Sequence, residues 1–172
     1  VVGYSTGVFG RALVDAADNY VYTLVESTSS PFNSQSGELS WALWAKSTSS
    51  CPGNTVYMGV ENPSGDPFKQ HLWLGCSPKG GGPSGVLGNT WCTDRTDNDC
   101  VQVPGDAVIT DGRWHHLAIV KAGHSPGTLT TYVDGVRQGV LPTAYHHPLN
   151  FTTGVEAALG ALSSGHRLIT VT

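Results

Sequence analysis

Residues 39–45 read Leu-Ser-Trp-Ala-Leu-Trp-Ala, an alternation that places Leu39, Trp41, Leu43 and Ala45 on one face of an extended chain. A period of two is the signature of a strand with one face buried, and this run cannot present a comparable stripe at the 3.6-residue period of a helix. Helical periodicity is nearly absent elsewhere. The one candidate, residues 11–17, is short, and Val14 with the following Tyr20-Val21-Tyr22 favours strand. Further strand-like runs occur at residues 56–60, 71–74, 114–120, 129–133, 155–162 and 168–171. Asp134-Gly135, set between Val133 and Val136, is a hairpin signal because both residues tolerate positive φ. Asp111-Gly112 precedes the Trp114 strand in the same way, and residues 77–85, rich in Gly, Pro and Ser, predict an exposed loop. Short strands separated by regular turn signals predict an all-β, two-sheet antiparallel sandwich of about a dozen strands.

Composition narrows the function classes. Hydrophobic residues make up 39% of the 172-residue chain, enough for one core, so residues 1–172 are read as a single domain. Charged residues make up only 13%, and the formal net charge is −4 without any Lys/Arg cluster, which argues against a nucleic-acid partner. No apolar run approaches the ~20 residues needed to cross a bilayer, so membrane insertion is not expected and the domain is read as soluble. The start at Val1 without Met and without a signal-peptide pattern is read as a processed or excised part of a longer chain.

The four cysteines, Cys51, Cys76, Cys92 and Cys100, contain no Cys-x-x-Cys pair and do not match zinc spacing. They allow three pairings. The favoured one joins Cys92 to Cys100, closing a short polar loop, and Cys51 to Cys76, tying two loops that bound neighbouring strands. Such bridges imply an oxidising, extracellular or surface-exposed location; four free thiols in a reducing compartment is the alternative. Asn150-Phe151-Thr152 is a glycosylation sequon at Asn150, consistent with export.

The run 112–120, Gly-Arg-Trp-His-His-Leu-Ala-Ile-Val, followed by 129–135, Leu-Thr-Thr-Tyr-Val-Asp-Gly, resembles a signature of laminin G-like, concanavalin A-like jelly rolls. Residues 7–13, Gly-Val-Phe-Gly-Arg-Ala-Leu, are similar to that family's opening strand. Residues 40–46 are similar to its Trp-containing strand ending in Lys, and residues 158–161 to a later strand beginning near Leu-Gly. The order and spacing of these segments cover roughly residues 7–162. The resemblance implies the sandwich fold and a family of lectins, adhesion modules and glucanases, many of which bind Ca²⁺ through loop carboxylates. Two departures stand out: the chain begins almost at the opening strand, and residues 164–172 lack the usual closing pattern. An incomplete sheet edge, open to pairing with other copies of the chain, is the expectation that follows.

The candidate sites cluster between the last two cysteines. Thr93-Asp94-Arg95-Thr96-Asp97-Asn98-Asp99 is the densest group of oxygen donors; Asp94, Asp97, Asn98 and Asp99 could ligate Ca²⁺, although the spacing is not that of an EF-hand. An Asx-rich turn satisfying its own backbone is the alternative. Trp91 is the aromatic residue least explained by a core, and with Asp94, Arg95, Asp97, Asn98 and the loop residue Tyr145 it is the expected glycan-binding face, since sugar C–H groups stack on aromatic rings. Among the seven histidines, His115 shares a face with Leu117 and Ile119 and reads as structural, while His146-His147 lies in a loop. Glu26, Glu38, Glu61 and Glu156 are isolated and read as solvated charges, and no strand offers Glu-x-Asp-x-x-Glu for glycoside hydrolysis, so no enzyme is expected. The leading expectation is an extracellular lectin-like module that recognises a glycan or glycosylated partner with Ca²⁺ as an aid. A self-assembling subunit of a surface filament or virion, and a degenerate glycosidase, are the alternatives.

Overall fold

The computed structural model describes residues 3–14, 21–24, 38–48, 51, 53–62, 69–79, 84–94, 99–123, 127–143, 149–151 and 155–160. Among these, every regular element is a strand: β1 (Gly3–Thr6), β2 (Arg11–Val14), β3 (Val21–Leu24), β4 (Leu39–Lys46), β5 (Thr55–Glu61), β6 (His71–Pro78), β7 (Gly85–Asp94), β8 (Asp99–Val101), β9 (Trp114–Ala122), β10 (Gly127–Val133), β11 (Val136–Thr143) and β12 (Glu156–Leu159). All pairings are antiparallel. One sheet has the order β11-β10-β9-β4, the second β3-β12-β5-β6-β7-β8, and β1-β2 form a separate ribbon. The two-sheet antiparallel sandwich read from the sequence is therefore the fold. The expected strand at 168–171 lies outside the described residues.

The sheets meet through their inward faces. Trp41, Leu117, Ile119 and Leu129 from the smaller sheet share one core cluster with Tyr57, Leu72, Leu74, Leu87 and Trp91 from the larger. Leu149 and Phe151 enter the same cluster from a connecting segment. Each fully buried side chain of this kind contributes about 1.5–3 kcal/mol relative to exposure. In β4 the predicted alternation holds: Trp41 is buried, Leu39, Leu43 and Ala45 are half-buried, and the residues between them are exposed. In β9 the inward set is His115, Leu117, Ile119 and Lys121. Lys121 Nζ donates to the Gly123 carbonyl at 2.6 Å, which satisfies one donor of a buried amine whose pKa burial pushes down.

Strand β7 shows no alternation, because all ten of its residues are buried. It lies between β6 and β8 with both faces covered, the arrangement that erases a period of two. The loop expected at 77–85 is shorter than predicted, because Ser77 and Pro78 pair with Val86 and Gly85 and so extend the β6–β7 hairpin. Gly75 in β6 faces a bulge in β5 between Val56 and Met58; a Cβ there would lie 2.0 Å from the Thr55 carbonyl oxygen. Asp134 and Gly135 have φ of 51° and 77°, the two positive values that a type I′ turn requires.

The disulfides are Cys51–Cys76 and Cys92–Cys100. This is the pairing favoured from the sequence. Cys92 and Cys100 are direct cross-strand partners on β7 and β8.

Candidate functional site

The alternation that buries Trp41 turns Trp44 to the outer face of the four-stranded sheet. Ser40, Ala42, Trp44 and Lys46 are all exposed there, and Trp44 remains 41% accessible. Directly across the ladder on β9 stands His116, whose ring centroid lies 5.2 Å from that of Trp44. The same-face neighbours Ala42 and Ala118, themselves cross-strand partners, are small and leave the indole open.

A third ring arrives from the β1–β2 ribbon. The turn Gly7-Val8-Phe9-Gly10 closes through a Gly7 N–H donated to the Gly10 carbonyl at 2.8 Å, with Gly10 at a φ of 78° that favours glycine. This geometry holds Phe9 edge-on to Trp44, with centroids 6.3 Å apart and planes at 79°. Phe9 is 82% exposed. On the same ribbon the Arg11 guanidinium lies 4.8 Å above the Tyr4 ring. Phe9, Trp44 and His116 thus form an accessible aromatic surface.

Behind this surface, His115 points inward and is fixed at both ring nitrogens. Nδ1 lies 2.8 Å from Asp134 Oδ2, and Nε2 lies 2.9 Å from Asp111 Oδ1. Asp134 Oδ1 also accepts the backbone N–H of His116 at 2.8 Å, while Arg113 Nε donates to Asp111 Oδ2 at 2.6 Å. Burial opposes a charge on His115, but the hydrogen bonds and charges of Asp111 and Asp134 outweigh it and raise the ring's pKa. The Arg113 hydrogen bond, followed by that of His115, holds the Asp111 carboxyl well below the usual range. For Asp134, burial pushes upward, and the His116 amide and His115 ring together bring its pKa down. The inward histidine expected from the Leu117 and Ile119 face is therefore a structural group held between two carboxylates.

The residues singled out around the second disulfide lie elsewhere. Trp91, expected as an exposed platform, is 2% accessible and belongs to the main core. The correction follows from strand length: β7 runs on to Asp94 and β8 begins at Asp99, so Thr93, Asp94 and Asp99 of the expected seven-residue loop belong to strands, and Trp91 lies well inside β7. Asp94 and Asp99 face each other across that ladder and are buried, and the Thr93 hydroxyl donates to the Asp99 carboxylate. Two of the four proposed Ca²⁺ donors are thus held in packed strands, with the oxygen chemistry a hard cation requires. Arg95, Asp97, Asn98 and Tyr145 lie outside the described residues, as do His146 and His147.

Asn150 is exposed, with its backbone N–H donated to Gln70 Oε1 at 2.8 Å and its carbonyl accepting from Asn62 Nδ2 at 3.1 Å. Glu38 is exposed but does more than carry solvated charge: its Oε1 accepts the Gly123 N–H at 2.9 Å. The sequence reading missed Phe9, Trp44 and His116 as a group. The parity of residues 39–45 already placed Trp44 opposite Trp41, whereas Phe9 is brought to it by a ribbon whose docking no local pattern encodes.

A family model described as the concanavalin A-like lectin/glucanases superfamily matches residues 15–169. Among curated proteins, no sequence matches the chain.

Proposed function

Because the chain belongs to the concanavalin A-like lectin/glucanase superfamily, we propose that it is an extracellular binding module that recognises a glycan or glycosylated partner through the outer face of β4 and β9. The observation that carries this reading is Trp44, a large ring left 41% accessible beside Phe9 and His116. A pyranose ring stacks its C–H groups on such a face, while its hydroxyls need polar groups at the rim, a role open to the exposed side chains of Lys46 and Ser40. Both disulfides favour an oxidising compartment, and among the described residues no helix is long and apolar enough to cross a membrane. Ca²⁺ held by Asp94, Asp97, Asn98 and Asp99 is kept in the proposal as an aid that steadies the second hairpin.

Neither carboxylate that holds His115 suits the acid of a glycosidase. A glycosidase acid must hold its proton near neutral pH, which takes a raised pKa. The carboxylates that flank β9, Asp111 and Asp134, are instead drawn down by Arg113, His115 and the His116 amide. The test is a glycan array followed by calorimetry on the wild type and Trp44→Ala, each with and without a chelator. Loss of binding in the variant supports the reading; unchanged binding, or no bound glycan at all, overturns it.

A second reading, self-assembly, draws on β11, the outermost strand of the four-stranded sheet among the described residues. It exposes Val136 at 64%, Val140 at 46% and Leu141 at 37%. Accessible apolar side chains on an edge strand favour pairing between copies. Sedimentation that returns only monomer across a wide concentration range rules it out.

A further inference from the structure

His71, Cys92 and Cys100 lie in one row across three adjacent strands. His71 on β6 is the direct partner of Cys92 on β7, and Cys92 is the direct partner of Cys100 on β8. One donor atom from each of the three lies within 4.8 Å of the other two. Neighbouring strands are spaced about 4.8 Å apart, so a row of this kind converges its donors without any loop rearrangement. We propose that when the Cys92–Cys100 disulfide is reduced, His71, Cys92 and Cys100 form a Cys₂His site for a borderline-soft divalent cation of the zinc class, a site that the oxidised protein does not have.

Three features carry the inference. The donor set is two thiolates and an imidazole, which selects zinc-class ions over Ca²⁺ or Mg²⁺. The distances can be met: with metal–sulfur bonds of about 2.3 Å and metal–nitrogen bonds of about 2.0 Å, tetrahedral donors stand about 3.5–4 Å apart, so on reduction the two sulfurs part from bonding distance while the imidazole, already within 4.8 Å, closes on them. The ring is already oriented, because His71 Nδ1 lies 3.2 Å from the Lys69 carbonyl. A carbonyl only accepts, so the ring donates there through Nδ1, and the form able to ligate a cation is the neutral tautomer with its lone pair on Nε2. A histidine ligand whose other nitrogen donates to a backbone carbonyl is the usual outer support of a metal site. Cys92 is fully buried while His71 and Cys100 are half-buried, which gives the ion a route from solvent on one side.

The chemistry balances in two steps. A reducing dithiol delivers two electrons and two protons to the cystine and leaves as its own disulfide, giving two cysteine thiols. The cation then displaces those two protons and is held by two thiolates and the neutral imidazole, with solvent at the fourth position. Opening the bridge also frees residues 93–99 from covalent closure, so the bound ion replaces the lost crosslink between β7 and β8.

The experiment uses Co²⁺ as a spectroscopic probe on protein reduced by a water-soluble phosphine, which takes its oxygen from water as the cystine gains two electrons and two protons. One equivalent of Co²⁺ should give thiolate charge-transfer and tetrahedral ligand-field bands in the reduced wild type and none in the oxidised protein. His71→Ala should weaken the binding more than about 10-fold, and Cys92→Ser/Cys100→Ser should abolish it. Cys51→Ser/Cys76→Ser should keep the bands; should that variant not fold, mapping by alkylation of which thiols Co²⁺ protects in the wild type answers the same question. No bands in reduced wild-type protein, bands undiminished in His71→Ala, or protection of Cys51 and Cys76 in place of Cys92 and Cys100 each overturn the proposal.

Discussion

His115 Nδ1 lies 2.8 Å from Asp134 Oδ2, which ties an inward ring on β9 to the exposed first residue of the β10–β11 turn. Asp111 holds the opposite ring nitrogen at 2.9 Å, so the imidazole sits between two carboxylates. The contact explains the Trp-His strand and the Asp-Gly turn as parts of one clasp.

That clasp should make stability depend on pH in a defined direction. The folded-state pKa of His115 is raised, so its contribution is fully present below about pH 6.5 and is lost as pH rises through the folded value. The pKa values of Asp111 and Asp134 are lowered, so their contribution is present above about pH 4 and is lost as pH falls through their folded values. Urea midpoints measured from pH 4 to 9 should decline on the alkaline side, and His115→Gln should flatten that decline. An alkaline limb that survives unchanged in His115→Gln would assign it to another group.

Trp44 and Trp91 should separate binding from folding. Trp44→Ala and Phe9→Ala remove exposed rings and should shift stability by less than about 1 kcal/mol while weakening glycan binding. Trp91→Ala empties a core position and should cost about 3–5 kcal/mol. Denaturant melts alongside calorimetry on the three variants decide it. A stable Trp91→Ala protein that has lost its ligand would restore Trp91 as the platform.

Much of the architecture was legible because strand alternation and turn chemistry are local. The parity of Leu39 to Ala45, the inward turn of His115 and the positive φ at Asp134-Gly135 all follow from neighbours in sequence. The cysteine pairing was legible for the same reason, since Cys92 and Cys100 bracket one hairpin. Trp91 was misread because β7 is covered on both faces, and a strand without alternation gives no sign of which way a ring points. Phe9 was missed because its meeting with Trp44 joins residues far apart in sequence, through a ribbon that shares no ladder with the larger sheets among the described residues.

The two disulfides should differ in worth. Closing a loop across a separation of 25 residues for Cys51–Cys76, against 8 for Cys92–Cys100, predicts losses of about 3.5 and about 2.5 kcal/mol on the chain-entropy scale. Guanidinium melts of the two double-Ser variants without added metal test the order. Equal losses would point to packing around the sulfurs in place of loop entropy.

Gly75→Ala should be far more damaging than a typical methyl addition. Its Cβ would lie 2.0 Å from a backbone oxygen that belongs to the β5 bulge, and neither strand can step aside without breaking the ladder. The expected cost is above about 3 kcal/mol, seen as loss of soluble protein or a lowered melting temperature. Near-wild-type stability would mean that the bulge can relax.

The Asp134 carboxylate serves both sides of one sheet. Through Oδ2 it holds a ring packed toward the interior, and through Oδ1 it holds the amide of the residue whose own ring lies against Trp44. Consecutive residues of a strand face opposite ways, so ordinarily inner packing and outer surface vary independently. Here they share an anchor: a substitution at this single turn position registers in the interior and on the solvent-facing aromatic surface together, and neither side of the ladder can be re-engineered without consulting the other.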